Sequence, residues 1–161
     1  MQSQIFFIPV DARGRLAQMP HPRAGDSLRS ELTALRDAGI DRIVSLLGAN
    51  EADALGLSDE GTVFAQIGGH FSHFPISDFS LPTDPAAFFD LARSLATEVE
   101  SGASVAVHCH AGIGRSTLLN CSILFALGVP VDDALALIAK HRGRPVPDTP
   151  QQRQWLYEHL R

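Results

Sequence analysis

Cysteine is scarce in this sequence, with only Cys109 and Cys121 in 161 residues. Two thiols give no disulfide framework of the kind that holds small secreted domains together. Basic runs are missing too. The formal charge is −5 and no Lys/Arg cluster or basic stripe interleaved with aromatics occurs, which argues against nucleic acid as a partner. No apolar stretch is long enough to span a bilayer, so no membrane partner is expected. The short apolar run Ile5–Val10 has no basic segment before it and is followed by Asp11 and Arg13. It therefore reads as a strand and not as a signal sequence. No internal repeat or low-complexity linker divides the chain, and a hydrophobic content of 45% suits a globular fold. A single domain over residues 1–161 is expected.

What is present is a pattern of alternating strands and helices. Asp26 is placed to cap a helix carrying Leu28, Leu32 and Leu35 on one face and ended by Gly39. Ile43–Leu47 reads as a buried strand, residues 50–69 as short helices, and Phe71–Pro75 as another strand. Asp84 before Pro85 is an N-cap for a helix over 86–100, with Phe88, Phe89, Leu91 and Leu95 available for packing. Val105–His108 is a strand and Ser116–Leu127 an apolar helix, stopped by Gly128 and Pro130. Asp132 opens a helix through His141, and Thr149 opens the last. The fold class implied is α/β, a central, mostly parallel sheet flanked by helices, with a site at the strand carboxyl ends.

The most informative stretch is Val105-Ala-Val-His-Cys-His-Ala-Gly-Ile-Gly-Arg-Ser-Thr117. It joins a buried strand to a helix N-terminus, which favours anions. Gly112 and Gly114 permit positive φ or close approach, so the N–H groups of His110, Ala111, Gly112, Ile113, Gly114 and Arg115 can point at one oxyanion. Cys109 would lie at the floor of that cradle, where the helix N-terminus and a neighbouring guanidinium favour the nucleophilic thiolate. Arg115 offers a planar fork for two phosphoryl oxygens. Ser116 can hydrogen-bond the thiolate and help it leave, and His108 is placed to orient the loop or tune the thiol.

HCHAGIGRS matches the HCxxGxxRS signature and resembles that of the cysteine-dependent protein-tyrosine and dual-specificity phosphatases. The resemblance implies a protein-tyrosine-phosphatase-like fold and phosphomonoester hydrolysis through a cysteinyl-phosphate. It implies no cofactor and no metal. It also implies an acid loop, which His73-Phe-Pro-Ile-Ser-Asp-Phe-Ser-Leu-Pro82 resembles, so Asp78, thirty-one residues before Cys109, is the expected general acid, with Asp84 as understudy. Near the C-terminus, Thr149-Pro-Gln-Gln152 resembles the family's TxxQ segment, in which a glutamine helps place the water of the second step. Thr149, Pro150 and Gln152 equally form a capping box, and both roles of Gln152 can coexist. The N-terminal half resembles small bacterial-type dual-specificity phosphatases in Gly14–Pro20 and Leu35–Leu47.

Other readings carry less. His108, Cys109 and His110, with His70 and His73 upstream, lack the spacing of a structural zinc site. Gly112-Ile-Gly114 lacks the third glycine of a dinucleotide fingerprint and the Lys-Ser/Thr of a nucleotide-triphosphate loop. Cys121 and Trp155 read as core, with a Cys109–Cys121 disulfide left open. Arg13, Arg15 and Arg23 line the cleft rim or are solvated surface charges. The loop has no lysine between Cys109 and Arg115, against the habit of phosphoinositide phosphatases, and no long phosphotyrosine-recognition segment is found. The expected substrates are phosphorylated protein or small phosphomonoesters, in the cytoplasm, where thiols stay reduced. The alternatives are a phosphate-binding module with little turnover, and another thiolate enzyme such as an arsenate reductase or sulfurtransferase.

Overall fold

The computed structural model describes residues 4–161; residues 1–3, which the single-domain expectation includes, lie outside that range. Five strands form one sheet: β1 (Phe6–Ile8), β2 (Arg15–Met19), β3 (Arg42–Ser45), β4 (His70–His73) and β5 (Ser104–His108). Their spatial order is β1-β2-β5-β3-β4. Only β1 runs antiparallel, against β2, while β2, β3, β4 and β5 are parallel. Seven helices join them: α1 (Leu28–Asp37), α2 (Ala49–Ala54), α3 (Glu60–Gln66), α4 (Pro85–Glu100), α5 (Arg115–Ala126), α6 (Val131–Arg142) and α7 (Pro150–His159). The mostly parallel α/β architecture read from the sequence is the one observed.

Side chains alternate across a strand, so each strand feeds two cores. Leu16, Val44, Val105 and Val107 face one, with Phe88 and Leu95 of α4, Leu118 and Leu119 of α5, Ile138 of α6 and Leu156 of α7. Ala17, Met19, Ile43 and Ala106 face the other, with Leu32 and Leu35 of α1 and Phe64 of α3. Helix α5 is buried continuously from Arg115 to Leu124, which accounts for its lack of a polar face. Trp155 stacks on Phe89 at 5.3 Å and meets Phe88 edge-on at 5.6 Å, so it packs as expected. No helix among the described residues is long and apolar enough to cross a membrane.

Several helix ends follow their sequence signals. The Asp84 carboxylate accepts from the Ala87 N–H at 3.1 Å with Pro85 in the first turn. Thr149 caps α7, its hydroxyl accepting from the Gln152 N–H at 3.1 Å. Asp26 is a correction. A 3-10 turn over Gly25–Ser27 leads directly into α1, and Ser27 precedes the helix with φ −82° and ψ −17°, making no side-chain cap bond. A capping side chain needs an extended residue at that boundary, and the turn supplies a helical one. Strand β2 was also not expected as an element. Its sequence Arg-Leu-Ala-Gln-Met holds no β-branched residue, and it enters the sheet because polar partners from α5 satisfy buried Gln18.

Candidate active site

Because β2, β3, β4 and β5 are parallel, their carboxyl ends lie along one rim. The register fixes this directly, with His108 level with both Met19 and Ser45. The segments after these strands therefore converge, bringing Cys109 and its loop to Leu46, Glu51, Ile76 and Asp78.

Cys109 sits just beyond β5 and is 3% exposed. The Ser116 hydroxyl donates to its Sγ at 3.1 Å. The loop is shaped from outside, by anchoring five successive carbonyls. The Cys109 carbonyl accepts from His108 Nδ1 at 3.1 Å, and that of His110 from the His21 N–H at 3.1 Å. Ala111 and Gly112 carbonyls accept from Arg142 Nη2 and Nε at 3.0 and 2.9 Å. Gly112 O also accepts from Gln18 Nε2 at 3.0 Å, and Ile113 O from the Thr117 hydroxyl. In a trans peptide the N–H points opposite to its C=O, so outward carbonyls turn the next N–H groups inward. The N–H groups of His110, Ala111, Gly112, Ile113 and Gly114 accordingly donate to no backbone acceptor among the described residues. The two glycines serve differently. Gly112 has φ +71°, and a Cβ there would come within 2.5 Å of the Met19 carbonyl; Gly114 needs room because a Cβ would run into Asp148.

Arg115 is 1% exposed and almost fully engaged by protein. Its Nη1 donates to Glu51 Oε1 at 2.7 Å and to the Ile76 carbonyl at 2.7 Å. Its Nη2 donates to Glu51 Oε2 at 2.9 Å and to Asp78 Oδ1 at 3.0 Å. No hydrogen bond runs from Nε among the described residues. Burial opposes the guanidinium's charge, but the Glu51 bonds and the charges of Cys109, Glu51 and Asp78 outweigh it and raise its affinity for the proton. In turn the Arg115 bonds hold the Glu51 carboxyl below the usual carboxylate range against burial, with help from the Gly48 N–H.

Asp78 is also held by the Phe79 N–H at 3.0 Å. Phe79 has φ +57° and is 63% exposed, a backbone geometry bulky residues adopt only under local constraint. His108 contacts Glu60 through Nε2 at 2.7 Å, with both side chains buried. The two ring nitrogens of His108 thus each face an oxygen, the Cys109 carbonyl at Nδ1 and Glu60 at Nε2. His108 falls on the sheet face opposite Val107, which is the face α3 covers.

Gln152 is fully buried. Its Oε1 accepts from the N–H groups of Asp148 and Thr149 at 3.1 and 3.2 Å, while Nε2 donates to the Ser80 carbonyl at 3.3 Å. It thus ties the acid loop to the start of α7. Cys121 lies inside α5, where burial pushes its thiol up to about 12; both cysteines are free. His73 Nε2 lies 2.6 Å from the Leu47 carbonyl. Arg15 bonds Ser104 and the Ala38 carbonyl, at the strand end opposite the loop, and Arg23 pairs with Glu31. Sequence reasoning missed Gln18, Glu51, Glu60, Arg142 and Asp148; the only local signal was Glu51 three residues after Gly48, a helix-start spacing.

A thiol at the head of a glycine-bearing strand-to-helix loop, at the carboxyl ends of a mostly parallel sheet, is the arrangement of a cysteine-phosphatase class of fold. The chain belongs to the family described as "Polymorphic toxin system, DSP-PTPase phosphatase", which matches residues 17–129. Mouse (Mus musculus) cyclin-dependent kinase inhibitor 3 is 23% identical over 133 residues, covering 82% of this chain and 63% of the relative. Protein tyrosine phosphatase domain-containing protein 1, also of Mus musculus, is 31% identical over 84 residues, 52% of this chain and 11% of the relative. The chain thus spans under two thirds of either relative's length. Among solved structures, a kinase associated phosphatase with its catalytic cysteine replaced by serine superposes with a TM-score of 0.88 at 21% identity, covering 98% of this chain and 94% of the other. At that identity the likeness establishes the fold.

Proposed function

We propose that this chain hydrolyses phosphomonoesters through a cysteinyl-phosphate intermediate, as a single catalytic domain over residues 1–161. The observation that carries the reading is the Cys109 sulfur, bonded by Ser116 at 3.1 Å, beneath a run of inward N–H groups and beside Arg115. In the first step Cys109 Sγ attacks phosphorus, the N–H groups from His110 to Arg115 and the Arg115 fork stabilise the equatorial oxygens, and Asp78 protonates the leaving oxygen. For that, Asp78 must leave Nη2, and an incoming phosphate that takes Nε and Nη2 displaces it. In the second step water releases phosphate and Ser116 stabilises the departing thiolate. His108 holds the loop, and Gln152 fixes the acid loop and the segment beside Gly114.

Phosphorylated protein is the first substrate class, supported by the likeness to a kinase associated phosphatase, with phosphotyrosine and phosphoserine or phosphothreonine both admitted by a cleft that lacks a deepening segment. A reducing compartment such as the cytoplasm suits the thiolate. The test is para-nitrophenyl phosphate hydrolysis against pH, with chelator present. The native chain is expected to turn over, Cys109→Ser to be inactive, and Asp78→Asn to lose about 10² in rate together with the alkaline limb. Undiminished turnover by Cys109→Ser would overturn the reading. Phosphoserine and phosphotyrosine peptides then settle specificity: turnover of phosphotyrosine alone would overturn the dual preference.

A further inference from the structure

Phe6 stands on β1, the edge strand that alone runs antiparallel, well before the cysteine loop in sequence. Its register partner on β2 is Gln18. Residues directly opposite in an antiparallel pair put their side chains on the same face of the sheet, and from that face Gln18 donates to the Gly112 carbonyl at 3.0 Å. A half-buried guanidinium lies over the Phe6 ring, with Arg142 Cζ 4.2 Å from the ring centroid. The same guanidinium donates from Nε to the Gly112 carbonyl at 2.9 Å and from Nη2 to the Ala111 carbonyl at 3.0 Å. Arg142 makes no ion pair among the described residues, whereas Arg23, Arg42 and Arg115 each hold a carboxylate. With no carboxylate to fix its plane, the fork is set by the ring beneath it and the two carbonyls before it.

We propose that Phe6 is a positioning residue for phosphate binding: its ring holds Arg142 in the plane from which the guanidinium anchors the Ala111 and Gly112 carbonyls. The inference rests on the cysteinyl-phosphate reading above, which makes the loop N–H groups the cradle. In a trans peptide the N–H points opposite to the preceding C=O. Holding the Ala111 carbonyl outward therefore aims the Gly112 N–H inward, and holding the Gly112 carbonyl outward aims that of Ile113. An arginine side chain has many rotamers, and stacking on a ring selects those that reach both carbonyls together. Arg142 also stands within the field of the nucleophile: burial, and then the Arg144 charge, lower its affinity for its proton, and the charge of Cys109 works against them. The edge strand thus belongs to the phosphate-binding machinery, although Phe6 reaches the cradle only through Arg142.

The experiment is calorimetric titration of the full chain with tungstate, a tetrahedral dianion, for the native protein, Phe6→Leu, Phe6→Tyr, Arg142→Met and the double variant Phe6→Leu/Arg142→Met, with melting curves on the same samples. Arg142→Met is expected to weaken tungstate binding about tenfold or more, through loss of two hydrogen bonds from a charged donor. Phe6→Leu should weaken it about threefold, the size of a cation–π contact at a half-exposed site. Phe6→Tyr keeps a ring under the guanidinium and should bind as the native chain does. In the double variant the Phe6 change should add nothing, because the group through which it acts is gone. If Phe6 only supports the fold, Phe6→Leu lowers Tm and leaves tungstate affinity untouched, and that result overturns the assignment. The same threefold loss with and without Arg142 overturns it as well, as does a loss in Phe6→Tyr equal to that in Phe6→Leu, a comparison that holds even where Arg142→Met does not fold. A native chain that binds tungstate but never hydrolyses para-nitrophenyl phosphate would overturn the cysteinyl-phosphate reading alone, whereas one that binds no tungstate would overturn both.

Discussion

Arg115 gathers four acceptors from two segments distant from it in sequence, Leu46 and Glu51 in one and Ile76 and Asp78 in the other. A guanidinium so held keeps its plane fixed before any ligand arrives, and misplacement of a clamp by about 1 Å can cost on the order of 10² in rate. Glu51→Gln leaves one oxygen to accept but turns an NH2 toward Nη2, so the paired geometry breaks. Its kcat/KM is expected to fall by about 10², read from initial rates. Stability should fall by about 2 kcal/mol at pH 7, less than for a fully buried pair because Glu51 is 22% exposed. The Glu51 carboxyl is held below its ordinary 4.5, so its contribution is present above that pH and is lost as pH falls through the depressed value. Urea unfolding should therefore separate native and variant at pH 7 and bring them together in acid. An equal gap at both pH values would overturn the account.

Among elements, α4 and α7 begin in the same way, with a capping side chain and a proline, but only α7 touches the site. Asp84→Ala is expected to cost about 1 kcal/mol, a Tm drop of about 2–4 °C for a chain of this size, with kcat unchanged. Gln152→Leu unpairs the Asp148 and Thr149 N–H groups and frees Ser80, so it should lower Tm further and slow turnover as well. Melting curves and rates on the same samples check both. These helices were legible in the sequence because capping is local chemistry. Cys109, Arg115 and Ser116 were legible for a similar reason, all lying within one strand-to-helix junction. Strand β2 was not, since nothing local shows that Gln18 meets Thr117 and Asn120 across about a hundred residues. Glu51 and Glu60 stayed hidden likewise, because they reach the site through crossovers whose order, β2-β5-β3-β4, only the folded sheet establishes, and Arg142 and Asp148 because they return to the loop from the end of α6 and the segment after it. Asp26 misled because a suitable capping residue was read without the turn geometry that decides whether it caps.

For the whole molecule, the two thiols report different things. Cys121 lies fully buried in α5 with its thiol pushed up to about 12, whereas Cys109 faces the cradle. Iodoacetamide at neutral pH is expected to add one label, on Cys109, with Cys121 reacting only at the rate of global unfolding. Peptide mapping of native and urea-treated protein measures this, and early labelling of Cys121 would show that α5 opens locally.

The carboxylates already seated on the Arg115 fork also bear on how the site empties. On the cysteinyl-phosphate reading, Glu51 keeps its two bonds to the guanidinium throughout and Asp78 would return to Nη2 when a phosphate departs. Free phosphate would have to displace Asp78 again to return. On that reading Asp78 competes for Nη2 with any phosphoryl group, substrate and product alike, so Asp78→Asn is expected to lower the Ki of inorganic phosphate, read from inhibition of para-nitrophenyl phosphate hydrolysis.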